Sequence, residues 1–238
     1  MKCLLIFIFL LFGSNVFSQS ESLKEARKMS YGLYLSPTIN YRTLTSNAPN
    51  NLVKEIRDKE EIAGLSYRAG GTFNYRISDK MALQSGLILS NRVFKTAKQA
   101  LVWSESNASN PTEAYISQQY FYLDIPLKLK YTFLTQKRLE VFVSGGINTA
   151  LFFLYNNKNH VNVSGNWEVS TNQSSNLSSI NFLAEIESGI EYKFNSKLKF
   201  RTALFFIHGI TPTNANLKTK EFLYSGGLNF GLVFTPYK

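Results

Sequence analysis

Two histidines, His160 and His208, and a series of acidic and basic side chains at two-residue spacing are the groups in this chain that could do chemistry. Arg68 and Arg76, then Arg92, then Asp124, Lys128 and Lys130, then Glu140, then Glu185, Glu187 and Glu191, then Lys199 and Arg201 each keep one parity within their own stretch. On a strand, groups two apart share a face. Glu185 and Glu187 could therefore act as an acid–base pair if a substrate reached them. The same face also carries cations, and charges of both signs on one face pair with each other. Across the tight turn at Ser196, Glu191 falls opposite Arg201, and Lys130 falls diagonal to Glu140. We expect Arg68, Arg76, Arg92, Asp124, Lys128, Lys130, Glu140, Glu185, Glu187, Glu191 and Arg201 to form a structural polar network, with no catalytic residue among them. The sequence holds no phosphate loop, paired-cysteine metal motif or nucleotide fingerprint, so no cofactor and no metal are expected.

The elements that must position these charges show best in Gln118 to Phe133. Phe121, Leu123, Ile125, Leu127, Leu129, Tyr131 and Phe133 are apolar, while Gln118, Asp124, Lys128, Lys130 and Thr132 occupy the alternate positions. So long an alternation predicts a strand with one face in an apolar medium and the other among polar groups. The pattern recurs over 31–42, 63–77, 81–94, 139–154, 180–194, 198–208 and 222–237. The connections run long, short, long, short, long, short, long. That arrangement predicts eight strands with every short turn at one end. The fold expected is an all-β, eight-stranded, antiparallel up-and-down transmembrane β-barrel, as in bacterial outer membranes, with short periplasmic turns and long outer loops. Its interior is just wide enough for side chains to fill, so the charged face becomes a salt-bridged plug.

A soluble, lipocalin-like barrel would instead turn the apolar face inward. Two aromatic bands argue for lipid outside. Tyr75, Tyr131, Phe133, Tyr192, Phe194, Phe200 and Phe234 fall near the turn end, and Tyr41, Phe121, Phe153, Phe182, Phe206 and Phe222 near the other. Phe142, Phe152, Leu154, Phe205 and Ile207 break the rule, because their parity places them in the lumen. A bulge, or strand tops rising above the bilayer, would account for them.

Lys2, the apolar run Leu4–Phe12 and the small-residue site Val16–Ser18 read as a cleaved signal peptide over 1–18. A lead-in over 19–30 and a barrel domain over 31–238 follow. Cys3 leaves with the signal, and the mature chain has no cysteine for a disulfide or thiolate site. The formal net charge of +10 invites a polyanion reading, but the excess sits in strands and short turns, with Lys80, Lys137, Arg138, Lys193, Lys197, Lys199 and Lys238 at one rim. A solvated or headgroup-facing rim is expected, and no nucleic acid.

The segment Tyr120–Tyr131, YFYLDIPLKLKY, with Ser144–Ile147, SGGI, resembles the PorT-like outer-membrane β-barrel family of Bacteroidetes. The resemblance implies an outer-membrane barrel, and the founding member is associated with a protein secretion system. The expectation is a monomeric, non-enzymatic barrel in contact with outer-membrane lipid, with a structural or binding role through its long loops. An envelope protein partner would meet those loops or the periplasmic rim, as for an accessory to secretion. Two alternatives stay open. One is a barrel enzyme acting on lipid A or phospholipid. One kind of lipid-A enzyme pairs a His with a Ser near the outer rim; His208 lies at that level but has no Ser at a nucleophile's spacing, and His160 is expected in an Asn-rich loop. The other alternative is a small pore.

Overall fold

A computed structural model describes residues 28–46, 52–105, 107, 110–173, 177–214 and 219–236. The expected signal peptide, most of the lead-in and Lys238 lie outside the described residues. In chain order the elements are β1 (Met29–Ser46), α1 (Leu52–Glu60), β2 (Glu61–Arg76), β3 (Met81–Thr96), β4 (Gln99–Ala100), β5 (Pro111–Thr135), β6 (Leu139–Val163), β7 (Asn166–Gln173), β8 (Ile180–Lys193), β9 (Leu198–Gly209) and β10 (Thr219–Phe234).

Eight of the strands close a ring in the order β1, β2, β3, β5, β6, β8, β9, β10, each antiparallel to its neighbours. Closure runs from Tyr31 against Phe234 to Ser46 against Thr219. In hydrocarbon an unpaired backbone N–H or C=O costs several kcal/mol, so a closed ring is the form a sheet takes there. Side chains obey the same logic. Along β1, Ser36, Thr38, Asn40 and Arg42 are buried inside, while Leu33 is 72% exposed outside, with Leu35 and Ile39 beside it. Apolar outside and polar inside is the expected membrane arrangement, and no helix among the described residues is long and apolar enough to cross a membrane.

The three short connections share one end with Lys28 and Thr235. There the Arg76 amide donates to the Lys28 carbonyl at 2.6 Å, and the Thr235 amide to Lys197 at 2.8 Å. Local side chains make these turns: Ser78 Oγ accepts from the Met81 amide at 3.1 Å, and Asn195 Oδ1 from the Lys197 and Leu198 amides at 2.8 and 2.9 Å.

The long connections depart from expectation. The first contains α1 within the stretch expected as a charged loop, and the next two are largely strand. β5 and β6 are 25 residues each and run well past the roughly ten residues that span a bilayer. At Ser164–Gly165, where φ is 53° and 86°, β6 turns back into β7. Strands β4, β5, β6 and β7 thus form a sheet that stands beyond the barrel, hereafter the paddle. His160, expected in a loop, lies within β6 opposite Tyr115.

A register shift explains one of the misplaced apolar residues, Leu154, while Phe152 stays inside against Tyr122. Phe121 pairs with Leu154 but Tyr122 with Phe152, so Phe153 is an extra residue and Leu154 joins the outward row with Phe121. Phe142, Phe205 and Ile207 are truly inside and buried. A second shift, between Ala63 and Arg68 on β2, turns Glu61 inward.

Candidate functional site

The charged face meets itself in the lumen. Its middle layer comes from even positions of β2, β3 and β5 facing odd positions of β8 and β9. Lys128 Nζ lies 2.6 Å from Glu185 and 2.8 Å from Glu187. Arg68 reaches Glu185 at 3.3 Å and Asp124 at 3.6 Å, and Arg92 bonds both oxygens of Asp124 at 2.8 Å. Arg201 joins Glu187 at 2.9 Å and Glu191 at 3.7 Å, and Glu191 also takes Lys130. Neutral donors complete the carboxylates: Asn148 on Glu185 at 3.1 Å, and Asn229 and Ser144 on Glu187 at 2.8 and 3.3 Å.

Inward aromatics have a role in this layer. The Arg201 guanidinium lies 4.3 Å from the Phe142 ring centre with Lys130 at 4.5 Å, Arg68 lies 4.9 Å from Phe205, and Arg92 lies 4.5 Å from Tyr122. Ring faces are negative, so they can cover a buried cation where water cannot. Gly227 makes room for this: a Cβ there would sit 2.3 Å from the Pro37 carbonyl and 3.1 Å from the Phe205 ring.

Below, at the turn end, the lumen widens into a cavity of about 430 Å³. Glu140 stands there between Lys199 at 2.6 Å and Lys193 at 2.7 Å. Two expectations need correction. Lys130 does not fall diagonal to Glu140, because β5 runs on to Thr135, which pairs with Glu140, while Lys130 pairs with Ser144 and reaches Glu191 instead. Arg76 is exposed at the cavity mouth and, among the described residues, takes no part in the ion pairs. Every other residue expected in the polar network is buried in the lumen and ion-paired.

Above the ionic layer an apolar collar of Phe94, Tyr120, Tyr122, Ala150, Leu183, Phe205, Ile207 and Leu223 fills the bore. A polar lid follows, which sequence reasoning missed. Arg57 of α1 bonds Glu61 at 2.6 Å and Glu221 at 2.8 Å, and Arg42 bonds Asp58 at 3.1 Å and also Glu61. The Tyr120 hydroxyl donates to Glu221 at 3.0 Å. Burial opposes the charge of Arg57, but Glu61 and Glu221 outweigh it and raise its pKa above the usual guanidinium range. Charge density alone marks 54–61 as a solvated loop; only the register shift before Arg68 shows that Glu61 points back into the barrel.

Among the described residues, no nucleophilic side chain is hydrogen-bonded to either histidine. His208 lies on the outer surface with Ala184 and Tyr224 as cross-strand neighbours, its ring stacked on Tyr224 at 6.1 Å and its Nδ1 2.9 Å from the Gly209 carbonyl. Among the described residues no group of acidic, His or Cys side chains is placed to hold a metal ion.

The sequence matches the outer membrane protein beta-barrel domain family over residues 17–232. The chain belongs to that family. This outer-membrane barrel is similar to Neisserial surface protein A, with 11% identity over 86% of this chain and 97% of that one at a TM-score of 0.45. OprG of Pseudomonas aeruginosa is 15% identical over 88% and 97%, TM-score 0.45, and AlkL is 13% identical over 94% and 98%, TM-score 0.43. No curated protein sequence matches significantly. In an outer-membrane barrel the short turns are periplasmic, so the 430 Å³ cavity opens to the periplasm and the lid and paddle face outward.

Proposed function

We propose that this barrel is a non-enzymatic binding element, a sealed membrane anchor that presents its lid and paddle at the cell surface. The mature protein starts at Gln19, after signal cleavage, and works as a monomer. The observation carrying this reading is the contrast between the two halves of the chain's polar surface. In the lumen, Asp124, Glu140, Glu185, Glu187 and Glu191 are each ion-paired with a cation beneath a collar and a lid. Outside, β5 and β6 are prolonged into a paddle that contributes little to closing the barrel, as if built to be reached.

The likeness of Tyr120–Tyr131 to PorT-like barrels supports an envelope partner, as for an accessory to a secretion machine. The test is to shorten the paddle by replacing residues 97–118 with a short linker from β3 into β5 at Gln119, and residues 157–178 with one from β6 at Asn156 into β8. The shortened protein should assemble into the outer membrane but lose the proteins that wild type retains in a crosslinked pull-down from solubilised envelope. An unchanged retained set would refute the paddle as the binding element.

A further inference from the structure

One face of the paddle gathers three lysines, Lys95, Lys98 and Lys158. Lys95 of β3 pairs in register with Ser117 of β5, and Ser117 with Lys158 of β6, so two lysines flank one buried serine. Two residues farther from the barrel, the rings of Tyr115 and His160 stack at 4.2 Å and 5°. Trp167 of β7 meets Tyr115 edge-on at 5.2 Å, and Lys98 Nζ stands 5.0 Å from the Trp167 ring. Among the described residues, neither Lys95, Lys98 nor Lys158 has a carboxylate within ion-pair distance, whereas the lumen cations do. Glu113 shares the face at the paddle tip, opposite Asn162. Partial burial and the charges of Lys158 and Lys95 lower the pKa of His160, as expected in a positive local potential.

Strand parity says which way this face looks. Stepping by two down β5, Tyr115, Ser117 and Gln119 lead to Phe121, whose ring packs on Phe153 at 6.2 Å on the lipid side. The cluster therefore continues the lipid-facing surface outward. At about 3.3 Å per residue, Lys95 and Lys158 lie roughly 13 Å along the strand beyond Phe121, and a tilt near 40° reduces that to about 10 Å of height. Tyr115 and Trp167 stand higher still. A phospholipid headgroup region is only about 5–8 Å deep per leaflet, so a lipid that reaches this cluster needs a larger polar head. Ammonium groups suit phosphate, and the partly exposed Trp167 ring offers a flat apolar surface to a sugar ring.

The geometry points to a binding site for the phosphorylated sugar head of an outer-leaflet glycolipid. Lys95, Lys158 and Lys98 hold its phosphates, the Tyr115–Trp167 pair meets its saccharide, and the Phe121–Phe153 surface below receives its acyl chains. This inference rests on the reading of the paddle as the binding element and names one ligand of it.

The test uses the full chain in detergent with Trp103→Phe, which leaves Trp167 as the one tryptophan of the two. Diphosphorylated lipid A is titrated against Trp167 emission, and native mass spectrometry counts the bound lipid. We expect saturable binding that weakens at least tenfold in K95Q/K98Q/K158Q, at least tenfold for dephosphorylated lipid A, and not at all in the periplasmic control K80Q/K137Q. Folding of each variant is checked by its migration before and after boiling. Equal lipid affinity in the triple-lysine variant overturns the site. So does equally tight binding of a soluble sulfated polysaccharide, which would assign the cluster to a soluble polyanion. Should the triple variant keep its lipid while the shortened paddle loses its envelope partner, the lipid site fails and the binding reading stands.

Discussion

Lys128 holds apart two carboxylates that would otherwise repel each other in the bore, Glu185 at 2.6 Å and Glu187 at 2.8 Å, with its own side chain wholly buried. Replacing it with Met leaves each carboxylate one cation, Arg68 and Arg201, and removes the bridge between them. Breaking a buried ion pair by deleting one partner costs about 3–5 kcal/mol. The Lys128→Met barrel should lose that much unfolding free energy in urea titrations of vesicle-reconstituted protein, while Arg76→Ala, at an exposed position, should stay within about 0.5 kcal/mol. A loss below 1 kcal/mol in Lys128→Met would mean the bore is wet enough to screen the network. His160 gives a second expectation. Because its folded pKa is depressed, the ring is neutral at pH 7, and any stability tied to the neutral ring is present above its unfolded pKa and lost as the pH falls through the folded value. Its NMR titration should fall below the ordinary 6.5 and move upward in Lys158→Gln; a midpoint unmoved by that change would rule out the lysine as a cause. Parity in the sequence was enough to put Glu191 beside Arg201. It could not give Lys130 its partner, because Glu191 lies on β8, separated from β5 by β6, and strand parity alone does not say which side chains meet across an intervening strand.

The barrel strands were legible because lipid outside and charge inside force an alternation that water on both sides would not. The paddle has no such constraint. Asn156, Asn157, Asn159 and Asn162 with Ser170, Thr171 and Asn172 are polar on both faces, so β6 beyond Tyr155 and all of β7 read as loop although their backbones pair residue for residue. α1 was hidden for a related reason, since all its residues are at least partly exposed and its charges look like those of a solvated connection. The same difference predicts dynamics. β7 is paired on one side only and exposed along its whole length, whereas the lower part of β6 lies between β5 and β8. In hydrogen exchange on the micelle-bound protein, amides of Asn166–Gln173 should exchange orders of magnitude faster than those of Val141–Ala150, in line with opening free energies near zero at exposed edges and near the global value in a closed sheet. Comparable protection in both would show that something covers the open edge of β7.

Three layers are stacked along the bore: ions in the middle, an apolar collar above them, and the Arg57–Glu61–Glu221 lid at the top. An eight-stranded ring leaves room for little beyond the side chains that fill it, so a path for hydrated ions needs several of these removed together. Planar-bilayer recordings of the wild-type protein should therefore show no sustained steps. Arg68→Ala, Lys128→Ala, Glu185→Ala and Glu187→Ala combined remove two charges of each sign and leave Arg92 with Asp124 and Arg201 with Glu191. Because that set strands no single buried charge, the barrel should still close, and with Arg57→Ala and Glu221→Ala added it should conduct. Steady wild-type current would overturn the sealed anchor and favour the small pore instead. A silent six-fold variant that migrates as a folded barrel would place the decisive block in the collar, at Tyr122, Phe205 and Leu223, where no charge pattern in the sequence announces it.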